Sequence, residues 1–133
     1  MNDAEIDQYY KEWEKISVSC YDGEYQDLFL DSYVMITDCG SFLSEYGATG
    51  RPIIWMICAE NIRRPIPEFS DLFDSYYKVH NVYELTQALE RIVEGNQDPD
   101  KEKRLLALDR IGLRSVNASE NIVNHLRREL CRK

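Results

Sequence analysis

The stretch from Tyr33 to Ile57, YVMITDCGSFLSEYGATGRPIIWMI, constrains the fold more than any other part of the chain. Tyr33 to Thr37 is an apolar, β-branched run of strand length, and Ile53 to Ile57 is a second one, introduced by Arg51-Pro52. Between them lie a polar turn, Asp38-Cys39-Gly40-Ser41, and a short helical segment from Phe42 to Ala48 closed by Thr49-Gly50. Strands that are apolar at every position suit a parallel sheet buried on both faces. In such sheets ligands bind beyond the carboxyl ends of the strands, often at a helix N-terminus, and Asp38 to Ser41 occupies that place.

The flanking sequence continues the rhythm. Asn2 with Glu5 is a capping-box pattern, and Ile6, Tyr9, Tyr10, Trp13 and Ile16 then recur on one helical face. Ser17 to Tyr21 is a strand candidate, Asp22-Gly23 a turn, and Tyr25 to Leu30 a short helix. Ala59 to Asp74, with Arg63-Arg64-Pro65 and Pro67, has no clear period and reads as a long loop. Tyr76 to Val79 is a further strand. Asn81 with Glu84 caps a helix that carries Val82, Leu85, Leu89, Ile92 and Val93 and ends at Gly95. Asp98-Pro99 starts a helix with Leu105, Leu108 and Ile111 inward, and Asn117 with Glu120 caps a last one carrying Ile122, Val123, Leu126 and Leu130. The expectation is an α/β fold, a single domain over 1–133 with C-terminal helices in 97–133. It is a three-layer α/β/α arrangement around a short parallel sheet of about four strands.

Composition narrows the function classes. The 133 residues are 44% apolar, enough for a core, and carry a net charge of −8. That balance argues against general nucleic-acid binding or an anionic membrane surface, but not against a small anionic ligand held by backbone N–H groups. The four cysteines form no CxxC pair, and Cys20 and Cys58, in strand-like runs, are expected as buried thiols. The acidic N-terminus has no apolar signal region and no run is long enough to cross a bilayer, so a reduced cytoplasmic setting is expected. Asn117-Ala-Ser119 matches a glycosylation sequon by chance in such a setting.

The common enzyme signatures GxGxxG, GxxxxGK[ST] and GxSxG are missing from the sequence. His80 and His125 lack metal-ligand spacing and read as surface residues, so neither a metal nor a cofactor is expected. Arg63 and Arg64 are either diphosphate contacts or a solvated loop tip. The nine tyrosines follow the inferred apolar faces and read as core. On the residues alone, the turn has two readings. Asp38 and Ser41 are caps for the helix at Phe42, or the turn is a binding site in which Gly40 admits a ligand to the backbone. Glu45, four residues after Ser41, lies on the same helical face and is either a solvated carboxylate or an acceptor for sugar or glycerol hydroxyls.

The segments Asp27-Leu-Phe, Ser32-Tyr-Val-Met-Ile-Thr-Asp38-Cys-Gly-Ser41-Phe-Leu-Ser-Glu45-Tyr46 and Gly50-Arg-Pro-Ile-Ile54 together resemble the CDP-glycerol glycerophosphotransferase family. That family includes teichoic-acid polymerases and related capsular-polysaccharide transferases. Its pattern reads S-D-hydrophobic-I-T-D-x-S-S, a short helix with an acidic residue and tyrosine, then G-K-P-I-I, and Asn117-x-Ser119 resembles its C-terminal end. The resemblance implies the C-terminal half of a GT-B fold, two Rossmann-like domains facing a cleft, with the donor on this half. Carried over, the family's serine pair falls on Gly40 and Ser41 and its acidic donor contact on Glu45, while Asp38 matches the motif aspartate that fixes the turn. Gly40 in place of the first serine, and Tyr33 in place of an aspartate, leave CDP-glycerol and a nucleotide-sugar both open as donor. The family's His-Gly and His-Pro motifs are absent from this sequence, so no catalytic residue is expected here. The resemblance implies a fragment of a transferase, inactive alone, whose partner is the missing N-terminal domain or a second copy. As part of a full-length enzyme it would be cytoplasmic or peripheral at the inner membrane. The alternative is a non-catalytic interaction module that kept the fold and self-associates.

Overall fold

The computed structural model describes residues 2–16, 25–58, 66–113 and 118–130. They fall into two compact units, Met1–Asp31 and Ser32–Lys133. In the first, helix α1 (Asp3–Trp13) opens on the expected capping box. The Asn2 side chain accepts from the Glu5 N–H at 3.0 Å, and the Glu5 carboxylate accepts from the Asn2 N–H at 2.7 Å. Tyr9 meets Tyr10 and Trp13 edge-on at 5.9 and 6.2 Å between ring centroids. These rings lie on the surface of the unit, and neither α1 nor α2 (Gln26–Asp31) has a buried residue. The strand expected at Ser17 to Tyr21 and the turn at Asp22-Gly23 lie outside the described residues.

The second unit is built on a parallel sheet of three strands, β1 (Met35–Thr37), β2 (Ile53–Met56) and β3 (Tyr77–Val79), in the order β1-β2-β3. The described residues thus hold three strands rather than about four. Thr37 pairs with Trp55 and Ile54 with Tyr77, so Ile36, Ile54 and Tyr77 share one face and Thr37, Trp55 and Lys78 the other. On the first face Ile54, Val79 and Ile92 form a core with Met56, Leu85 and Leu89, which brings α5 (Val82–Leu89) onto β2 and β3. On the second, Trp55 meets Phe73 of α4 (Ser70–Phe73) edge-on at 5.9 Å. Helices therefore pack on both faces of the sheet.

The expected two-sided burial holds for β2, where Ile53 and Ile54 are fully buried and Trp55 nearly so. Each side chain of that kind contributes about 1.5–3 kcal/mol. It fails for β1, which among the described residues lies at the edge of the sheet and whose Ile36 is 46% exposed. The segment expected as a long irregular loop also differs. From Pro67 it forms a 3-10 turn and then α4, and Leu72 and Phe73 are core residues. A four-residue helix is too short to show a period, which is why the pattern did not reveal it. The tyrosines split in the same way: Tyr46 and Tyr76 are buried, whereas Tyr9, Tyr10, Tyr33 and Tyr83 are exposed.

Two glycines set the path between β1 and β2. Helix α3 (Gly40–Glu45) tightens into a 3-10 turn, Tyr46–Thr49, which ends at Gly50 with φ 73°. A Cβ on Gly47 would come within 2.1 Å of the Tyr76 hydroxyl, which donates to the Leu43 carbonyl at 2.7 Å. Helix α5 follows its Asn81 cap as expected, the Asn81 side chain accepting from the Glu84 N–H at 2.9 Å, and it widens into a π turn ending at Gly95. Helix α6 (Lys101–Arg110) buries Ala107 and Leu108, and α7 (Ala118–Leu130) follows. Asn117, expected as its cap, lies outside the described residues.

Candidate functional site

The chain leaves β1 at Thr37 and enters α3 within three residues. The Thr37 hydroxyl accepts from the Cys39 N–H at 3.0 Å, and the Cys39 carbonyl accepts from the Leu43 N–H at 3.2 Å to begin the helix. Cys39 is therefore the N-cap residue, and it makes no side-chain cap bond. This corrects the expectation for Asp38 and Ser41 as caps: the turn is held by Thr37, one residue earlier, and the Asp38 carboxylate is exposed.

The Cys39 sulfur lies 3.2 Å from the Ser41 hydroxyl. The Ser41 hydroxyl first, and then the nearby backbone N–H groups of Phe42 and Ser41, lower the thiol pKa from its ordinary 9.0, against smaller opposing effects of burial and of the Asp38 charge. The turn thus favours negative charge at a solvent-exposed point, as a helix start does when its first N–H groups lack intrahelical partners. Gly40, Ser41 and Glu45 are all exposed, and Ser41 and Glu45 stand one turn apart on α3. A Cβ on Gly40 would meet nothing within 4 Å, so the position is open rather than sterically reserved for glycine.

The ends of the other two strands share this edge of the sheet. The Ile57 N–H donates to the Val79 carbonyl at 2.8 Å, which prolongs the β2–β3 ladder, and Cys58 follows it exposed. The expectation of a buried Cys58 is overturned: past the end of β2, beyond the half-buried Ile57, Cys58 is exposed. His80 and His125 are exposed. Arg63 and Arg64 lie outside the described residues. Among the described residues no group of three or more His, Cys, Asp or Glu could hold a metal ion, and no helix is long and apolar enough to cross a membrane.

One polar residue escaped the sequence reading. Arg104 of α6 is fully buried, pairs with Asp98, and donates to the Gly50 carbonyl at 2.9 Å and the Ser75 carbonyl at 3.4 Å. Tyr77 donates to the other oxygen of Asp98 at 2.7 Å and accepts from the Asp100 N–H at 3.3 Å. The signal was the spacing 104, 107, 108, 111, which sets an arginine among inward residues of one helical face. Comparison with protein-family models, with curated proteins and with solved structures finds no match.

Proposed function

We propose that the turn between β1 and α3 is one wall of the donor site of a GT-B glycerophospho- or glycosyltransferase of teichoic-acid or capsular-polysaccharide synthesis, and that this unit is its Rossmann-like C-terminal part. The observation that carries this reading is the geometry of the turn, in which β1 passes within three residues into the exposed start of α3 and the Ser41 hydroxyl lies 3.2 Å from the Cys39 sulfur, surroundings that also lower the thiol pKa. Groups that stabilise a thiolate stabilise phosphate oxygens by the same means. In this reading Ser41 and the backbone at Gly40 hold the diphosphate of CDP-glycerol or a nucleotide-sugar. Glu45 accepts hydroxyls of the transferred group, and Asp38 lies at the rim. Among the described residues β1 lies at the edge of the sheet and the strand order does not reverse, which fits one wall rather than a closed crevice. In this reading an N-terminal domain carrying the family's His-Gly motif supplies the other wall.

This chain alone therefore binds donor weakly and turns nothing over. Titration of the isotopically labelled chain with CDP-glycerol and a panel of nucleotide-sugars tests the reading. The expected result is amide shifts centred on residues 38–45 for one of these ligands. Shifts confined to other parts of the chain, or none at millimolar ligand, would overturn it.

A further inference from the structure

Helix α7 presents its apolar stripe to solvent. Ile122, Val123, Leu126 and Leu130 are 60%, 44%, 53% and 74% exposed. Among Ser119 to Leu130 only Asn124 is half-buried, and on a helix of 3.6 residues per turn it lies on the far side from that stripe. The apolar side of the helix thus faces outward, the reverse of a surface helix seated on its own core. Ser119, Val123, Leu126 and Leu130 fall at the d, a, d and a positions of a heptad, the narrow seam of a coiled coil rather than a broad core face.

We infer that this seam is covered by α7 of a second copy of the chain, in antiparallel orientation. The charges beside the seam select both partner and direction. Glu120 and Arg127 both fall at e positions, and antiparallel packing sets e against e of the partner helix. Two identical helices then form two Glu120–Arg127 pairs, with Val123 of each copy packed on Leu126 of the other. Parallel packing sets Arg127 beside Ile122 instead and forms neither pair. The ion pairs are solvent-exposed, so they fix direction more than they add strength. Two helices of 13 residues make a small interface, so the dimer is weak and forms with rising concentration. None of the donor-site residues takes part, and the pairing stands or falls independently of nucleotide binding.

Sedimentation velocity of the full chain from micromolar to millimolar concentration is the test. The mass should rise from one chain toward two, and Leu126→Glu should shift the midpoint upward by about tenfold or more. Glu120→Arg and Arg127→Glu should each weaken association, and the double variant should restore it. Circular dichroism checks that helicity is retained; should Leu126→Glu lose it, Val123→Lys reads the same face. A monomer at every concentration, a dimer indifferent to the seam variants, or a double variant that fails to recover would each overturn the proposal.

Discussion

Arg104 and the turn at Cys39 are polar clusters of the larger unit that are opposite in kind. Arg104 is closed: its guanidinium is fully buried and divides its bonds among Asp98, Gly50 and Ser75, joining α6 to the end of the 3-10 turn and to the approach to β3. Such a cluster is closed off from solvent, and its role is to fix where elements sit. The turn at Cys39 is open: its hydroxyl, thiol and neighbouring carboxylates face solvent, and little of the fold depends on them. Polar groups satisfied inward hold the structure; those at this strand end lie on the surface, where a ligand can reach them.

That difference can be broken most forcefully at the closed cluster. Arg104→Ala leaves Asp98 without its cation and two carbonyls without donors, and should lower unfolding stability by about 3–5 kcal/mol in urea denaturation. Tyr77→Phe removes the bonds to Asp98 and from Asp100 and should cost about 1–3 kcal/mol. The same tyrosine gives an alkaline signature. Burial first, then its bond to Asp98, pushes its pKa from 10.0 up to about 12. The folded state therefore favours the neutral phenol. This contribution is complete below pH 10 and fades as pH rises to 12, and the decline should be shallower in Tyr77→Phe when thermal melts are compared across that window. At the open cluster the expected stability effect is smallest. Gly40→Ser has empty space for its side chain and should change stability by less than about 0.5 kcal/mol. It adds a second hydroxyl beside Ser41 and, if the proposed donor site is right, should tighten donor binding several-fold, measured by calorimetric titration. A destabilised Gly40→Ser would show that the turn is not open.

Much of this was legible in the sequence where the determinants are local. The Asn2 and Asn81 caps, the strand–helix–strand order around Asp38 and the end of α5 at Gly95 depend on residues a few positions apart. What could not be read depended on distant partners. Arg104 is held by Gly50 and Ser75, and no pattern near residue 104 names them. The exposure of Ile36 depends on β1 lying at the edge of the described sheet, which no pattern near residue 36 states. At the site, the position of Asp38-Cys39-Gly40-Ser41 was anticipated, yet the residue fixing the turn was Thr37, because a threonine ending a strand reads as β-branched core before it reads as a turn acceptor.

The thiol within the proposed donor site permits a direct test. Alkylation of the native chain by iodoacetamide, followed residue by residue by mass spectrometry, reports access to Cys39, with exposed Cys58 as an internal comparison. The Cys39 rate should rise with pH at a midpoint below that of an ordinary thiol, and Ser41→Ala should move the midpoint upward. With millimolar CDP-glycerol or the nucleotide-sugar that binds, Cys39 alkylation should slow several-fold, and by more than that of Cys58. A Cys39 rate unchanged by a ligand shown to be bound would contradict the account.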